Sequence, residues 1–305
     1  MQPETIPSAQ QVEVVPEGGA VVAQGSLGRL ILRTFLENKL AIIGLGFVVI
    51  VTAFSFLGPL VYHTNQIATN LLATNLPPGH GHPFGTDQNG YDVLGRLMAG
   101  GQVSMEISIA IALVATTVGA LYGAISGFFG GWLDTAMMRI VDVGLAVPVI
   151  FLFILLSRIF APTKVLLIIL LAGLSWLGPA RLVRGETLSL RTRDYVQAVR
   201  SMGGGPRRII LRHIVPNAIG TIVVNATFQI ADATLILATL DYLGLGLPPP
   251  TATWGGMLSG GVGFLQDGYW WQVYPVLIVI VFTVISFNFI GDALRDSLDV
   301  RLRRR

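Results

Sequence analysis

The sequence has no cysteine, and only 12% of its 305 residues are charged. Without thiols there can be no disulfide, thiolate metal site or cysteine nucleophile. Soluble domains carry roughly 25% charged residues, so the shortage of charge argues against a soluble chain. Lysine occurs only at Lys39 and Lys164, followed by Leu40 and Val165. A Gly-x-x-x-x-Gly-Lys-Ser/Thr phosphate loop is therefore excluded, and this chain cannot hydrolyse nucleotide through one. No Lys or Arg precedes Arg29, so the basic n-region of a secretory signal is missing. The sequence also lacks His-Glu-x-x-His and Gly-x-Ser-x-Gly, which leaves no support for a membrane-embedded enzyme. The four histidines are His63, His80, His82 and His213. His80 and His82 could suggest a metal, but loop histidines in solvent are the simpler reading, and no metal is expected.

What the chain has in abundance is apolar length, with 52% hydrophobic residues. Leu40–Leu60 runs 21 residues without a charge, enough at 1.5 Å per residue to cross a hydrocarbon core about 30 Å thick. Five more apolar segments follow: Val103–Phe129, Ile140–Phe160, Val165–Ala180, Ala218–Leu240 and Val273–Ile290. The expected fold is all-α and polytopic, with six transmembrane helices. Placing the N-terminus in the cytoplasm puts seventeen of the twenty Lys and Arg inside, leaving Arg96, Arg158 and Lys164 outside. Such asymmetry is the positive-inside signature, with both termini cytoplasmic. It also accounts for the net charge of +3 without nucleic acid.

The pattern divides the chain into a mobile cytoplasmic tail (1–28), an amphipathic lead-in with the first span (29–60) and an external segment (61–102). A five-helix core (103–294) and a cytoplasmic C-terminal tail (295–305) follow. Trp270 and Trp271 precede the sixth span, where aromatic residues anchor the interface.

The cytoplasmic connection 184–217 carries a short helix, a turn and a second helix. Asp194 is an expected N-cap, Tyr195–Met202 is helix-compatible, and Gly203, Gly204 and Gly205 end it. Pro206 suits the start of a second helix through Ile214, and Val215, preceding Pro216, is biased away from helix. Tyr195, Val199 and Met202 recur at i, i+4 and i+7 as one apolar face. That face fits either a groove on a soluble partner or anionic lipid headgroups.

These residues resemble the permeases of binding-protein-dependent ABC importers, the dipeptide/oligopeptide/nickel group, C-type subunit. Gln197-Ala198-Val199-x-x-x-Gly203 and His213-Ile214-Val215-Pro216-Asn217 resemble the family's E-A-A-x-x-x-G and I-x-L-P loop, with Gln197 in place of the glutamate and Val199 in place of an alanine. His82-Pro83-Phe84-Gly85-Thr86-Asp87 with Asp92-Val93-Leu94 is similar to its external segment, with Tyr91 where an arginine is usual. Gly127–Asp134, Met138–Asp142, Tyr242–Pro248 with Trp254-Gly255, and Gly291–Asp299 extend the likeness over about residues 80–303. The resemblance implies a type I importer permease in a bacterial or archaeal plasma membrane. It also implies a homologous permease, two ABC ATPases that bind ATP and Mg, an extracytoplasmic substrate-binding protein, and di- or oligopeptides as substrate. Asp194, Tyr195, Gln197, Ala198, Val199, Arg200, Met202, Gly203 and Pro216 then belong to the ATPase-coupling element.

Three acids lie in or near spans, where ionisable groups are costly and functional by default. Glu106 and Asp142 sit within a turn of span ends, in reach of water or arginine. Asp232 lies deeper, and with Asn225 and Gln229 forms a polar stripe on one helical face. The stripe is expected either to line a translocation path or to hydrogen-bond between subunits. An ion-gradient transporter using Asp232 is the alternative function.

Overall fold

A computed structural model describes residues 27–79, 81–160 and 162–303. The N-terminal tail through Ser26, and His80, lie outside the described residues. Within them the chain is helical, with two isolated bridges and no β-strand.

The amphipathic lead-in is helix α1 (Leu27–Glu37), and Asn38 caps the next helix by accepting from the amides of Leu40 and Ala41. Helix α2 (Lys39–Val61) is apolar almost all round. It leaves Ile43 and Ile50 each 66% exposed, an apolar surface suited to lipid rather than water. The chain then winds through a polar segment to α3 (Val93–Phe129), the 37-residue axis of the molecule. This corrects the expected start at Val103: Asp92 caps the helix ten residues earlier by accepting from the Gly95 amide, so Arg96 is helical.

Helix α3 packs against α2, α6 (Lys164–Ser175), α7 (Leu177–Leu190) and α11 (Ile219–Tyr242). Its approach to α7 rests on Gly119, Gly123 and Gly127, one every four residues. A Cβ at Gly119 would meet Pro179 Cβ at 2.6 Å, and one at Gly127 would meet Arg184 O at 2.8 Å. Small residues at this spacing let membrane helices touch backbone to backbone. Midway, Ile107, Ile111 and Ala115 meet Leu167, Leu171 and Leu237 in the main core.

Two of the expected spans are broken. The third is α4 (Gly131–Ala146) and α5 (Val149–Ile159), bent by 80°. Pro148 stands at the break and Val147 before it is extended, as proline demands of its predecessor. The fourth is α6 and α7, bent by 42°, and α7 continues past Ala180 to Leu190. Among the described residues four helices are long and apolar enough to cross a membrane, and up to six spans result if each bent pair is one. Among the rest, α12 (Trp254–Val262) is too short to cross. Helix α13 (Tyr274–Arg303) packs on α2 and α11 and carries the expected C-terminal tail as helix to Arg303.

Trp271 is no interface anchor. It is buried, and its indole N–H donates to Thr86 O at 3.1 Å; Trp270 is the exposed one. Tyr91 is buried, donates to Ile67 O and lies under the Arg96 guanidinium.

Candidate functional site

The loop from α7 to α11 folds against the C-terminal end of α3. Helix α8 (Asp194–Ser201) begins one residue earlier than expected: Arg193 is the N-cap and Asp194 the first helical residue. There its carboxylate still complements the helix dipole. The helix ends in two paired hydrogen bonds, Gly204 N to Val199 O at 2.9 Å and Gly203 N to Arg200 O at 3.0 Å. Gly203 has φ +80°, the left-handed cap this closing motif requires.

The apolar face differs from the expected one. Val196, which the sequence reading passed over, is fully buried, and Val199 packs partly beside it. Their neighbours are Ala124 and Phe128 of α3, Val183 of α7, and Ile209, Ile210 and Ile214. Tyr195 and Met202 face outward, Met202 being 77% exposed. A spacing of i, i+3 from Val196 fits the buried side as well as the chosen spacing did. Ala198 and Arg200 are exposed, and the Arg200 guanidinium lies 5.3 Å from the Phe128 ring. The Gln197 amide donates to Arg191 O at 3.1 Å, a bond a glutamate could not donate.

The second helix begins as α9 (Pro206–Ile209) and does not stop at Ile214. A π turn over Ile210–Ile214 leads into α10 (Val215–Asn217), and Val215 is helical. The Val215 amide reaches back five residues to Ile210 O, widening the helix just before Pro216, whose ring would otherwise clash with the preceding turn.

Beneath this loop lies a polar staple missed by the sequence reading, although Asp134 ended a quoted motif. Arg184 grips Asp134 with Nε and Nη2, each at 2.6 Å, in the two-pronged geometry that makes such pairs strong. Ser126 donates to the same carboxylate, and Arg191 Nη1 donates to Gly127 O at 2.9 Å. α3, α4 and α7 are thus tied directly under α8.

The other acids are paired differently. Asp142 meets Arg181 at 2.5 Å, as expected. Glu106 pairs with Lys164, but sits well inside the lengthened α3 rather than near its end. The polar stripe is split by burial: Gln229 is 8% exposed, Asn225 half-buried and Asp232 exposed on the subunit surface. Among the described residues no group of three or more His, Asp or Glu is placed to hold a metal.

Residues 119–304 match the model for the binding-protein-dependent transport system inner membrane component. The chain belongs to this family. Residues 26–78 of this permease match the N-terminal TM domain of oligopeptide transport permease C, which bears out the resemblance read from the motifs. The permease is 38% identical over 279 residues to the oligopeptide transport system permease protein OppC of Bacillus subtilis, covering 92% of this chain and 91% of that one. It is 35% identical over 272 residues to the dipeptide transport system permease protein DppC of the same organism, covering 89% and 85%. The inward-facing methionine ABC transporter MetNI shares its fold, with a TM-score of 0.54 at 20% identity over 66% of this chain and 96% of that chain. Membership in a binding-protein-dependent system sets aside the ion-gradient reading of Asp232.

Proposed function

We propose that this permease is one membrane subunit of an ATP-driven importer of di- and oligopeptides, with both termini cytoplasmic. It pairs with a homologous permease, two ATPases that bind ATP and Mg, and an external binding protein. The observation that carries this reading is the build of α8: a buried side packed onto α3, α7 and Ile209–Ile214, and an exposed side presenting Tyr195, Ala198 and Met202. A short helix so fixed transmits a push from a soluble partner to the bundle instead of absorbing it. The peptide assignment follows from the relatives named for oligopeptide and dipeptide transport.

The same reading gives the remaining residues their roles. Asp194, Gln197, Arg200 and Gly203 shape and end the coupling helix, and Pro216 fixes the chain's return to the membrane. Asn225, Gln229 and Asp232 line the path between the two permeases. Asp232 is exposed on the surface of this chain, which suits a group facing that path.

The test is purification of the tagged chain in mild detergent, mass spectrometry of its companions, and ATP-driven peptide uptake after reconstitution. The reading expects a P-loop ATPase and a second permease, and abolished uptake in a normally inserted Gly203→Trp variant. Full uptake in that variant, or recovery of the chain alone, contradicts it.

A further inference from the structure

Where the coupling loop returns toward the membrane, two clefts adjoin. One, of about 360 Å³, lies between Leu121, Ile125 and Phe129 of α3 and Pro206, Ile210 and Leu211 of the loop. The other, of about 540 Å³, is lined by Gly205, Pro206, Arg207, Arg208, Leu211 and Arg212. The two share Pro206, Arg207 and Leu211, so an apolar groove opens directly onto a basic one.

The sequence builds both halves. Leu121, Ile125 and Phe129 recur every four residues and stack in one row on α3, all three exposed. The row continues back along this spanning helix through the exposed Val118 and Val114. On the loop, Ile209, Ile210 and Ile214 turn inward to the cluster that holds Val196 of α8. That leaves Arg207, Arg208, Leu211 and Arg212 on the outer side. Other arginines of this segment are engaged with the protein: Arg184 with Asp134, Arg191 with Gly127 O, and Arg200 over Phe128. Arg207, Arg208 and Arg212 meet no acid among the described residues.

We infer that the joined clefts hold an anionic phospholipid of the inner leaflet. Its phosphate sits among Arg207, Arg208 and Arg212, and an acyl chain lies along Leu121, Ile125 and Phe129. The inference rests on the importer reading, which puts this end of α3 at the cytoplasmic surface. A soluble ATPase could bring acids to the arginines, but it could not follow Leu121 and Val118 into the membrane. A phospholipid carries anion and apolar chain in one molecule, in the order the clefts present them. Guanidinium groups suit phosphate oxygens through paired N–H donors. Ile210 both lines the groove and packs in the cluster with Val196, so a lipid seated there braces the loop that carries α8.

The test reconstitutes the assembled transporter in bilayers holding phosphatidylglycerol or phosphatidylcholine with a diazirine on one acyl chain, and maps photolabelled residues by mass spectrometry. The phosphatidylglycerol probe should label segments 121–129 and 206–212 about tenfold or more above the phosphatidylcholine probe. Arg207→Gln, Arg208→Gln and Arg212→Gln should each weaken that labelling about fivefold, the weight of one basic residue beside anionic lipid. The triple variant should show no preference; all three positions are exposed, so insertion is expected to be normal. Leu211→Trp, which fills the groove and keeps every charge, should lose labelling at 121–129. Equal labelling of the wild type by both probes overturns the inference. So does a preference that survives in the triple variant; if that variant also loses its ATPases, the arginines dock protein instead. Failure of the importer reading looks different: no P-loop ATPase accompanies the wild type, whatever the labelling shows.

Discussion

The two ends of α3 are built on opposite principles. Around Phe128 every buried polar side chain of segments 126–134 and 184–217 has a partner, with none among the unpaired groups; Asp134 alone accepts from Arg184 twice and from Ser126. Around Arg96 the Asp241 carboxylate oxygens, Gln272 Oε1 and Arg96 Nε are buried without a hydrogen-bond partner, so this end is left open in its hydrogen bonding. About 48 Å of helix separates Arg96 from Phe128 at 1.5 Å per residue. The difference teaches how one rigid helix serves two tasks. A satisfied end is suited to transmit force, while the other end carries the cost of unpaired buried groups.

The sharpest way to break the contrast is to unpair the satisfied end. Arg184→Ala strands the Asp134 carboxylate; a fully buried pair loses about 3–5 kcal/mol this way, and this part-buried one should lose somewhat less. A large fall in Tm of the purified protein is expected, while Asp241→Asn at the open end should leave Tm nearly unchanged or raise it. Next in size, Val196→Ala removes two buried methyl groups and should cost about 2 kcal/mol. Met202→Ala, at an exposed position on the same helix, should leave Tm alone and lower peptide-stimulated ATPase activity in the full complex. Gly203→Ala must hold a left-handed backbone, at about 1–2 kcal/mol, read as a smaller drop in Tm. Nothing lies within 4 Å of a Cβ there, so strain alone is measured.

The smallest effect concerns pH, near the open end. Burial first, and then its hydrogen bond to Asp92 at 2.9 Å, push the Tyr62 hydroxyl up to about 12. A raised folded-state value means the neutral form is favoured by folding. The stability it contributes is complete below pH 10 and lost as pH rises toward 12. Tyr62→Phe should flatten that alkaline slope of Tm; an unchanged slope would assign it to another group.

The apolar segments and the arginine asymmetry made the helical membrane fold legible, because lipid imposes length and hydropathy on every span. Breaks within spans were harder to read. Pro148 marked one in plain sight, and Gly178-Pro179, just past the bend at Trp176, marked the other inside what read as one apolar run. Helix α3 started early because Asp92, a cap, outweighed the polar residues after it. In the coupling loop the glycine cap was legible, since only a left-handed residue ends a helix that way. The inward side was not, because a short helix in which Val196 and Val199 compete with Tyr195 and Met202 offers two apolar faces. Asp241, Gln272 and Arg96 lie far apart in sequence, and no local pattern announces their convergence.

Because the chain has no native cysteine, Met202→Cys gives a single reactive thiol on the exposed side of α8. In the purified complex, with and without its ATPases, the account predicts that this thiol is shielded from maleimide when the ATPases are bound and that a short bifunctional reagent joins it to one of them. Equal labelling in both preparations, with no cross-linked product, would contradict α8 as the coupling element.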